Sequence, residues 1–349
     1  MQNVRQSFLH TGRMGRVGIL VWCCIVWSAH VALSQNLWEI FSRSYTTNVL
    51  AWTRHNGNPV IGPSGSTWKS LGTADPEFLT FQNRTLLYYC GTGILPGQGK
   101  SAHDRVGVAE IRDVGPMRLT YHDLNRGSPV LDLGLPGEFD GEGIRSPATV
   151  VFRGILHLYY SASGKGANGI GLAVSTDGEQ FTKLGKVLEG EAPDVLIARD
   201  TLFMVYQKRD QSGYKVFLAF STDGRTFTPA GLQPVLEGAA GRWDAKSVLT
   251  PRVWFFNDVF YMLYGGSTDF MDEPEFFGLA RSKDLRTWET HPGNPIFGAG
   301  LHGTADGGAI RSPAITESGG WIVMLYEGSR GKQSWDQLLS ICMAWIAKR

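Results

Sequence analysis

The chain has 349 residues, of which 42% are hydrophobic and 19% charged, an ordinary balance for a soluble globular protein. Its formal net charge is +1, and the first 34 residues carry three arginines and no acidic residue. Without them, 30 basic residues face 32 acidic ones, a net charge of −2 that leaves no basic surface for nucleic acid. The 44 glycines and 16 prolines lie throughout the chain, as is typical of many short strands joined by turns.

The N-terminal segment has the pattern of a signal peptide. An apolar run, Val17–Leu33, follows the three arginines, and Ala32 and Ser34 are the small residues that a signal peptidase recognises. An uncleaved membrane anchor is the alternative, but 17 apolar residues are at the short limit for spanning a bilayer. We therefore predict a signal peptide at residues 1–34 and a secreted or periplasmic mature protein, monomeric and without stable membrane association.

Five segments of the chain share one pattern, and this repeat is the strongest signal in the sequence. The segments are Ala74–Gly91, Arg145–Ala162, Glu191–Lys208, Leu249–Gly266 and Arg311–Gly328. Each has a proline at its third position and a tyrosine thirteen residues after that proline. Only 11 of the 349 residues are tyrosine, so five matches at one offset are not expected by chance. Each segment also has two apolar runs separated by a turn residue, which predicts a β-hairpin.

A third strand is predicted after every hairpin, and a fourth strand after it in the units before the last. Third strands are predicted at Val106–Ile111, Gly171–Phe181, Phe217–Phe227, Gly278–Trp288 and Leu339–Ile346. Fourth strands end in short motifs at Pro129, Pro234 and Pro295. Four antiparallel strands repeated five times predict an all-β, five-bladed β-propeller over residues 35–349. The fifth unit lacks its own fourth strand, so Asn58–Ile61 is expected to supply it and close the ring.

Two cysteines, Cys90 and Cys342, follow the signal peptide, and both lie in predicted strands of neighbouring blades. Two buried free thiols are favoured, because free cysteine behaves as a small hydrophobe, although a disulfide is geometrically open. Three tryptophans, Trp68, Trp243 and Trp254, are aromatic surfaces that could stack on a sugar, with Trp254 more typical of a core residue.

The predicted strand order places the long loops on one face, where the first strand of each blade begins beside the central channel. The residues just before each repeat proline should therefore converge on one funnel. They are polar in four of the five repeats: Asp75, Arg145 with Ser146, Glu191, and Arg311 with Ser312. Carboxylates gathered in such a space shift each other's pKa, and glycoside hydrolysis requires a carboxyl pair. For Asp75 taken alone, a turn cap is the favoured interpretation, since Asp-Pro often has that role.

A second set of acidic residues lies seven positions before a repeat proline: Asp140, Asp244 and Asp306. Their fixed offset favours a shared structural task, such as accepting hydrogen bonds from backbone amides. A direct part in catalysis is the alternative.

The repeat and its motifs resemble the five-bladed propeller glycoside hydrolases, including families 43, 32 and 130, over nearly the whole mature chain. Asp75-Pro76 matches the general-base motif that opens blade 1 in family 43. Glu191-Ala192-Pro193 matches the general-acid motif that opens its blade 3. The resemblance implies that Asp75 activates water or attacks the sugar, and that Glu191 protonates the leaving oxygen.

One position departs from this pattern. The related enzymes carry an aspartate before the blade-2 proline, where this chain has Ser146 after a matching Arg145. Asp140 or Asp194 could compensate for the missing carboxylate, and otherwise the enzyme would be weakened. Family 130 implies another option, in which phosphate is the nucleophile. Export argues against that option, because a sugar phosphate made outside the cell would be lost.

The sequence thus predicts a secreted glycosidase for plant, algal or microbial oligo- or polysaccharides, with Asp75 and Glu191 as catalytic residues and no required cofactor. The candidate substrate contacts are Arg145, Asp140, Ser146, Asp194, Asp244 and Arg311. The resemblance also allows a structural calcium in the channel, with His302 as a candidate ligand. A catalytically inactive carbohydrate-binding propeller, motivated by Ser146, and a protein-interaction propeller are the competing hypotheses.

Overall fold

The computed structural model describes residues 37–47, 52–65, 67–95, 101–165, 168–269, 272–332 and 338–348. These residues form five antiparallel sheets of at least four strands each, arranged as the blades of a propeller, which confirms the predicted fold class. The predicted signal peptide, residues 1–34, lies outside the described residues. Among the described segments, no helix has the length and apolar character needed to cross a bilayer.

The blades follow one another in chain order after a helix and a short strand, α1 (Leu37–Thr47) and β1 (Thr53–Arg54). Blade 1 contains β2 (Gly72–Phe81), β3 (Arg84–Gly93), β4 (His103–Gly115) and β5 (Arg118–Asp123), followed by a 3-10 turn at Asn125–Gly127. Blade 2 contains β6 (Gly143–Phe152), β7 (Ile155–Ser163), β8 (Gly169–Ser175) and β9 (Thr182–Leu188). Blade 3 contains β10 (Glu191–Ala198), β11 (Thr201–Arg209), β12 (Tyr214–Ser221) and β13 (Thr228–Pro229).

Blades 4 and 5 complete the ring. Blade 4 contains β14 (Ser247–Phe256), β15 (Val259–Ser267), β16 (Phe276–Ser282), β17 (Glu289–Thr290) and β18 (Phe297–Gly298). Blade 5 contains β19 (Ala309–Ser318), β20 (Trp321–Ser329) and β21 (Leu339–Ala347). The predicted third strands therefore correspond to β4, β8, β12, β16 and β21.

The first two strands of every blade are joined by a two-residue turn. Both turn residues have positive φ in blade 1 (Gln82, 49°; Asn83, 61°) and in blade 4 (Asn257, 48°; Asp258, 60°). This is the geometry of the tight turns whose twist matches a right-handed β-hairpin. The face opposite the predicted funnel is accordingly made of short turns.

Residues 53–61, which precede blade 1, close the ring, as predicted, by adding the outer strand of blade 5. β1 pairs antiparallel with β21, and the backbone amide of Val60 donates to the carbonyl of Ile341 at 2.9 Å. The regular ladder lies at β1 rather than at the predicted Asn58–Ile61, because Pro59 has no N–H to contribute. At Asn58 the side chain makes the contacts with β21: its Nδ2 donates to the carbonyl of Met343, and its Oδ1 accepts the amide of Met343.

Five apolar clusters fill the spaces between neighbouring blades, so the core is a ring of interblade layers. Leu86 of blade 1 and Leu158 of blade 2, for example, share one cluster. The five repeat tyrosines are all buried to within 1% of full coverage: Tyr89, Tyr160, Tyr206, Tyr264 and Tyr326. The sequence repeat thus records the packing of one blade on the next.

Helix α1 was not predicted. Its buried residues Leu37, Trp38, Ile40 and Phe41 follow helical spacing and join the cluster between blades 4 and 5. The guanidinium of Arg281 lies 4.1 Å from the Trp38 ring, a cation–π contact that further fixes the helix. Elsewhere in the core, Cys90 and Cys342 are buried free thiols, as favoured from the sequence.

Candidate active site

The five inner strands share a β-bulge at the repeat proline, and this bulge builds the site. In each blade the register shifts at the proline, as between Ala74 and Glu77 in blade 1. The residue before the proline has a φ of 43–49° in all five blades: Asp75, Ser146, Ala192, Thr250 and Ser312. A residue before proline normally adopts extended geometry, and positive φ costs a non-glycine residue about 1–3 kcal/mol. Such strained bulges re-aim side chains next to active sites.

The bulges surround a cavity of about 410 Å³ at the centre of the ring. Five of the eight predicted site residues line it: Asp75, Arg145, Ser146, Glu191 and Arg311. Leu249 and Thr250 of blade 4 also line it, so all five blades contribute to the cavity. Asp75 from blade 1 and Glu191 from blade 3 thus line the same polar cavity.

Asp75 is buried and surrounded by hydrogen-bond donors. Its Oδ1 accepts the hydroxyl of Ser312 at 2.5 Å, and its Oδ2 accepts the amide of Ser146 at 3.1 Å. Arg145 Nε lies 3.4 Å from the same Oδ2. Burial alone would raise the pKa of Asp75, but Arg145, Ser312 and the more distant Arg252 outweigh it and hold that pKa below its ordinary value of 3.8. Asp75 is therefore a carboxylate at neutral pH.

Glu191 is half-buried at the other side of the cavity. The phenol of Tyr214 donates to its Oε2 at 3.4 Å. Burial, and next the charge of Glu191, raise the pKa of Tyr214 to about 12, so this phenol keeps its proton and remains a donor. Glu191 pairs across the hairpin with Gln207, which also lines the cavity and holds the amide of Thr250 at 2.8 Å.

A third carboxylate, Glu327, lines the cavity and was missed from the sequence. It is fully buried in β20, directly opposite Arg311 of β19. Arg311 Nη1 donates to its Oε1 at 2.7 Å, and Arg145 Nη2 lies 3.7 Å from its Oε2. The position can be recognised in the sequence as the residue after the repeat tyrosine, which is Cys90, Ser161, Gln207 and Gly265 in the other blades.

Asp140 and Asp244, two of the predicted substrate contacts, lie outside the cavity lining. Asp140 accepts the hydroxyl of Tyr160 at 3.1 Å and pairs with Lys183 at 2.8 Å. Asp306 accepts the hydroxyl of Tyr326 at 2.8 Å in the same way. Asp140 and Asp306 thus share the structural task of fixing the repeat tyrosine twenty residues later.

Asp244 has a comparable buried position in blade 4. Arg242 Nη2 donates to its Oδ2 at 2.9 Å, and the backbone amides of Ala239 and Asp244 also bond the carboxylate, as predicted for this set of aspartates. Burial raises the pKa of Asp244 above its ordinary value, and Arg242 partly opposes that rise. Asp244 thus lies buried in the loop before β14, outside the described cavity lining that contains Asp75 and Glu191.

Asp194, the remaining predicted contact, lies in the channel beneath the cavity. Its Oδ2 accepts the amide of Val253 at 2.5 Å, and its Oδ1 lies 3.6 Å from Arg252 Nη1. Glu77 from blade 1 lies 3.8 Å from the same nitrogen and accepts both the amide and the hydroxyl of Thr149. Arg252 also donates to the carbonyls of Pro147 and Pro193 at 3.4 Å, so this buried group ties several blades together.

The three tryptophans are packing residues in this structure. Trp68 covers Gly91 and Gly107 so closely that a Cβ at Gly91 would lie 2.2 Å from its ring. Trp243 covers the corresponding glycines of blade 4 and stacks on Tyr264. Trp254 is buried in the interblade core, as favoured from the sequence. None of the three belongs to the described cavity lining, so the hypothesis that Trp68 or Trp243 stacks on a sugar there is wrong.

The described part of the chain contains no group of three His, Cys, Asp or Glu side chains arranged as metal ligands would be. His302, the candidate calcium ligand, is exposed in the loop before blade 5. The structural calcium stays a prediction from the family resemblance.

No protein-family model matches the chain, and no curated protein matches it in sequence. Solved structures match it in fold. A glycosyl hydrolase from Bacteroides ovatus aligns with a TM-score of 0.66 at 15% identity, covering 90% of this chain and 96% of its own. The fold is that of the five-bladed glycoside hydrolases.

Two further structures broaden the comparison. The β-1,2-mannobiose phosphorylase from Listeria innocua, in complex with β-1,2-mannobiose, aligns with a TM-score of 0.66 at 15% identity over 85% of this chain and 97% of its own. The complex of BT0996 with RGII aligns with a TM-score of 0.67 at 16% identity over 88% and 94%. The structural neighbours thus include both glycoside hydrolases and a phosphorylase, and at these identities they share the fold with this chain.

Proposed function

We propose that the protein is a glycoside hydrolase that cleaves an oligo- or polysaccharide in the central cavity. The proposal rests on one observation: Asp75 and Glu191 line the same polar cavity, although 116 positions separate them in the chain. Two carboxyl groups flanking a sugar-sized space are the arrangement that glycosidic bond cleavage requires.

Asp75 is assigned the role of the ionised partner. Its low pKa keeps it a carboxylate, able to take a proton from water or to attack the anomeric carbon directly. The donors from Ser146 and Ser312 also fix its rotamer, which supports a positioned base or nucleophile.

Glu191 is assigned the role of the acid. It is more accessible than Asp75, and the neutral phenol of Tyr214 orients its carboxyl group towards the cavity. A proton held there can pass to the leaving oxygen of a glycoside bound against Asp75.

Water, rather than phosphate, is the acceptor that this cavity favours. Both described arginines of the lining already contact carboxylates, Arg145 at Asp75 and Arg311 at Glu327 and Glu273. The described lining has five acidic side chains against these two: Asp75, Glu191, Asp272, Glu273 and Glu327. A phosphate dianion would meet a net negative surface, so added inorganic phosphate should neither accelerate turnover nor yield a sugar phosphate.

We also propose that the protein is exported and acts outside the cytoplasm on plant, algal or microbial glycans. The basis is the N-terminal segment with its predicted cleavage after Ser34. N-terminal sequencing of the exported protein tests this, and a chain that stays intact inside the cell would contradict it.

The activity is tested with a panel of defined glycans, scored for released reducing sugar and for sugar phosphate. Wild type is compared with Asp75→Asn and Glu191→Gln. Asp200→Asn is the matched control, because Asp200 is exposed in a tight turn with a φ of 58°, which asparagine also tolerates. Hydrolysis that the first two variants lose and the control retains supports the proposal. Glycan binding without turnover in wild type would instead identify a sugar-binding propeller.

A further inference from the structure

Blades 2 and 5, the two neighbours of blade 1, carry the same tripeptide at their inner bulge. The motif is Arg145-Ser146-Pro147 in blade 2 and Arg311-Ser312-Pro313 in blade 5. Blade 1 lies between them, with Asp75 at the equivalent position before its own proline. The two motifs therefore approach Asp75 from opposite sides.

The two serines bond the two oxygens of one carboxylate. Ser146 donates to Oδ2 of Asp75 through its amide at 3.1 Å and its hydroxyl at 3.3 Å. Ser312 donates its hydroxyl to Oδ1 at 2.5 Å. Ser146 thus has a defined task at the position where the related enzymes have an aspartate.

The two arginines meet a second carboxylate, Glu327. Arg311 Nη1 donates to Oε1 at 2.7 Å, and Arg145 Nη2 lies 3.7 Å from Oε2. The side chain of Glu327 is fully buried, and its Oε2 accepts no hydrogen bond from the described residues although Glu327 belongs to the cavity lining. Arg145 also reaches Asp75 at 3.4 Å, so one guanidinium bridges the two carboxylates.

We propose that Glu327 is a positioning residue of this active site: it holds Arg145 and Arg311 at the cavity floor and supplies, beside Asp75, the negative charge that Ser146 does not. This inference rests on the proposed hydrolase function and adds a third carboxylate to it. Glu327 acts through the two arginines and through its charge, and it does not need to touch the sugar.

A purely structural ion pair is a weaker account of the same contacts. Arg145 keeps Asp75 and Asp104 (3.6 Å) as partners without Glu327, and Arg311 keeps Glu273 (2.6 Å). Replacing Glu327 by its amide therefore leaves neither guanidinium without a carboxylate. The large destabilisation that follows when a buried charge loses its last partner is therefore not expected here.

The electrostatics of Glu327 give a measurable signature. Burial raises its pKa above the ordinary value of 4.5. Arg311 opposes this rise, Asp75 adds to it, and Arg145 opposes it. The charged groups that face it are thus Arg311 from β19, Arg145 from β6 and Asp75 from β2, and the neutral thiol of Cys90 from β3, whose pKa burial and next Asp104 raise, also senses its charge. Acidification protonates Glu327 first and releases its hold on the two arginines while Asp75 is still ionised.

The first test is the pH profile of kcat/KM for Glu327→Gln, with Glu317→Gln as control. Glu317 is another glutamate of blade 5, paired with Lys348 away from the cavity. We expect kcat/KM to fall at least about tenfold at neutral pH with no loss of melting temperature, and the acid limb to move to lower pH. Adding Ser146→Asp to Glu327→Gln should return the limb towards its wild-type position, because a carboxylate is again beside Asp75.

The second test needs no catalysis. Carboxyl-carbon NMR follows the titration of Glu327, assigned from the signal that Glu327→Gln, or Glu327→Asp if the amide variant does not fold, removes or shifts. In Asp75→Asn, the pKa of Glu327 should fall towards 4.5, because the neighbouring negative charge is gone.

The outcomes separate this inference from the proposed function. If wild type hydrolyses no glycan, the hydrolase proposal fails, while the NMR titration still tests the coupling. If wild type is active but Glu327→Gln keeps the wild-type acid limb, or the Glu327 titration ignores Asp75→Asn, Glu327 is not the second charge of the site and the inference is overturned.

Discussion

The inner strands place two polar layers next to each other, and the cavity of about 410 Å³ lies at one of them. The cavity layer is formed at the bulges by residues such as Asp75 and Glu191. The channel layer is formed by three residues that directly follow a repeat proline on the same strands: Glu77, Asp194 and Arg252. Both layers contain buried charges from several blades. Burial and charge alone therefore do not distinguish an active site from a charge network that only stabilises the fold.

The difference lies in the partners. In the channel layer, Arg252 meets carboxylates and proline carbonyls, and Glu77 and Asp194 accept neighbouring backbone amides. In the cavity layer, Glu191 and Arg145 remain partly exposed beside about 410 Å³ of space. A charge network closed by backbone partners holds a fold together, whereas one that faces open volume can bind and react.

The largest expected effect is that of Asp75→Asn in the cavity layer. Losing the base or nucleophile should reduce kcat by about 10³-fold or more on any glycan that wild type hydrolyses. Steady-state kinetics on that glycan provides the measurement.

Asp75→Asn should also have a pH-dependent effect on stability. The pKa of Asp75 is lowered on folding, so its carboxylate stabilises the protein above the unfolded value near 3.8, and this contribution is lost as pH falls through the folded pKa. The variant should therefore lower the melting temperature more at pH 7 than at pH 3. An equal shift at both pH values would contradict this assignment.

Arg252→Met in the channel layer should act on stability instead. It leaves Glu77 and Asp194 buried without their shared cation, which costs about 3 kcal/mol in comparable buried pairs. The kcat of the folded fraction at neutral pH should stay near wild type, because Asp75 keeps its donors from Ser146 and Ser312. Denaturant unfolding and kinetics at one temperature measure both quantities, and a loss of kcat without a loss of stability would reverse the roles of the two layers.

Glu191→Gln should reduce kcat by about 10²-fold on a substrate with a sugar leaving group. The loss should be much smaller on an aryl glycoside whose phenol leaves without protonation, because the acid is then not needed. Comparing the two substrates tests the acid assignment directly. Equal losses on both would assign Glu191 to substrate binding.

The smallest effect on activity is expected for Asp140→Asn, which tests whether this residue belongs to the active site. The hydrogen bond from Tyr160 and the pair with Lys183 support a cost of about 1–2 kcal/mol in unfolding free energy. The kcat should change less than about twofold, because Asp140 lies outside the cavity lining. A large loss of kcat at unchanged stability would restore Asp140 as a substrate contact.

The propeller could be predicted from sequence because its repeat is enforced by packing. Each repeat tyrosine is buried between blades, and Tyr160 and Tyr326 each donate to an aspartate twenty residues earlier. The aspartate lies seven residues before the repeat proline and the tyrosine thirteen residues after it. Their fixed spacing in the sequence therefore reflects this hydrogen bond. Helix α1 escaped prediction because its short apolar pattern, Leu37 to Phe41, has no counterpart in the repeat.

The site was predictable only where a motif marks it. Asp75 stands directly before a repeat proline and Glu191 two residues before one, and the bulge brings both to the cavity. Asp194 directly follows Pro193, three residues after Glu191, and there the strand turns the side chain into the channel. Glu327 was missed because strand pairing, rather than proximity in sequence, sets it opposite Arg311.

The most direct test of the account is a crystal structure of the Asp75→Asn variant with an uncleaved oligosaccharide. We expect one glycosidic bond to span the cavity, with its oxygen within hydrogen-bond distance of Glu191 and its anomeric carbon facing position 75. A sugar bound away from both side chains, or reaching only one of them, would contradict the claim that these two carboxyl groups form a single catalytic pair.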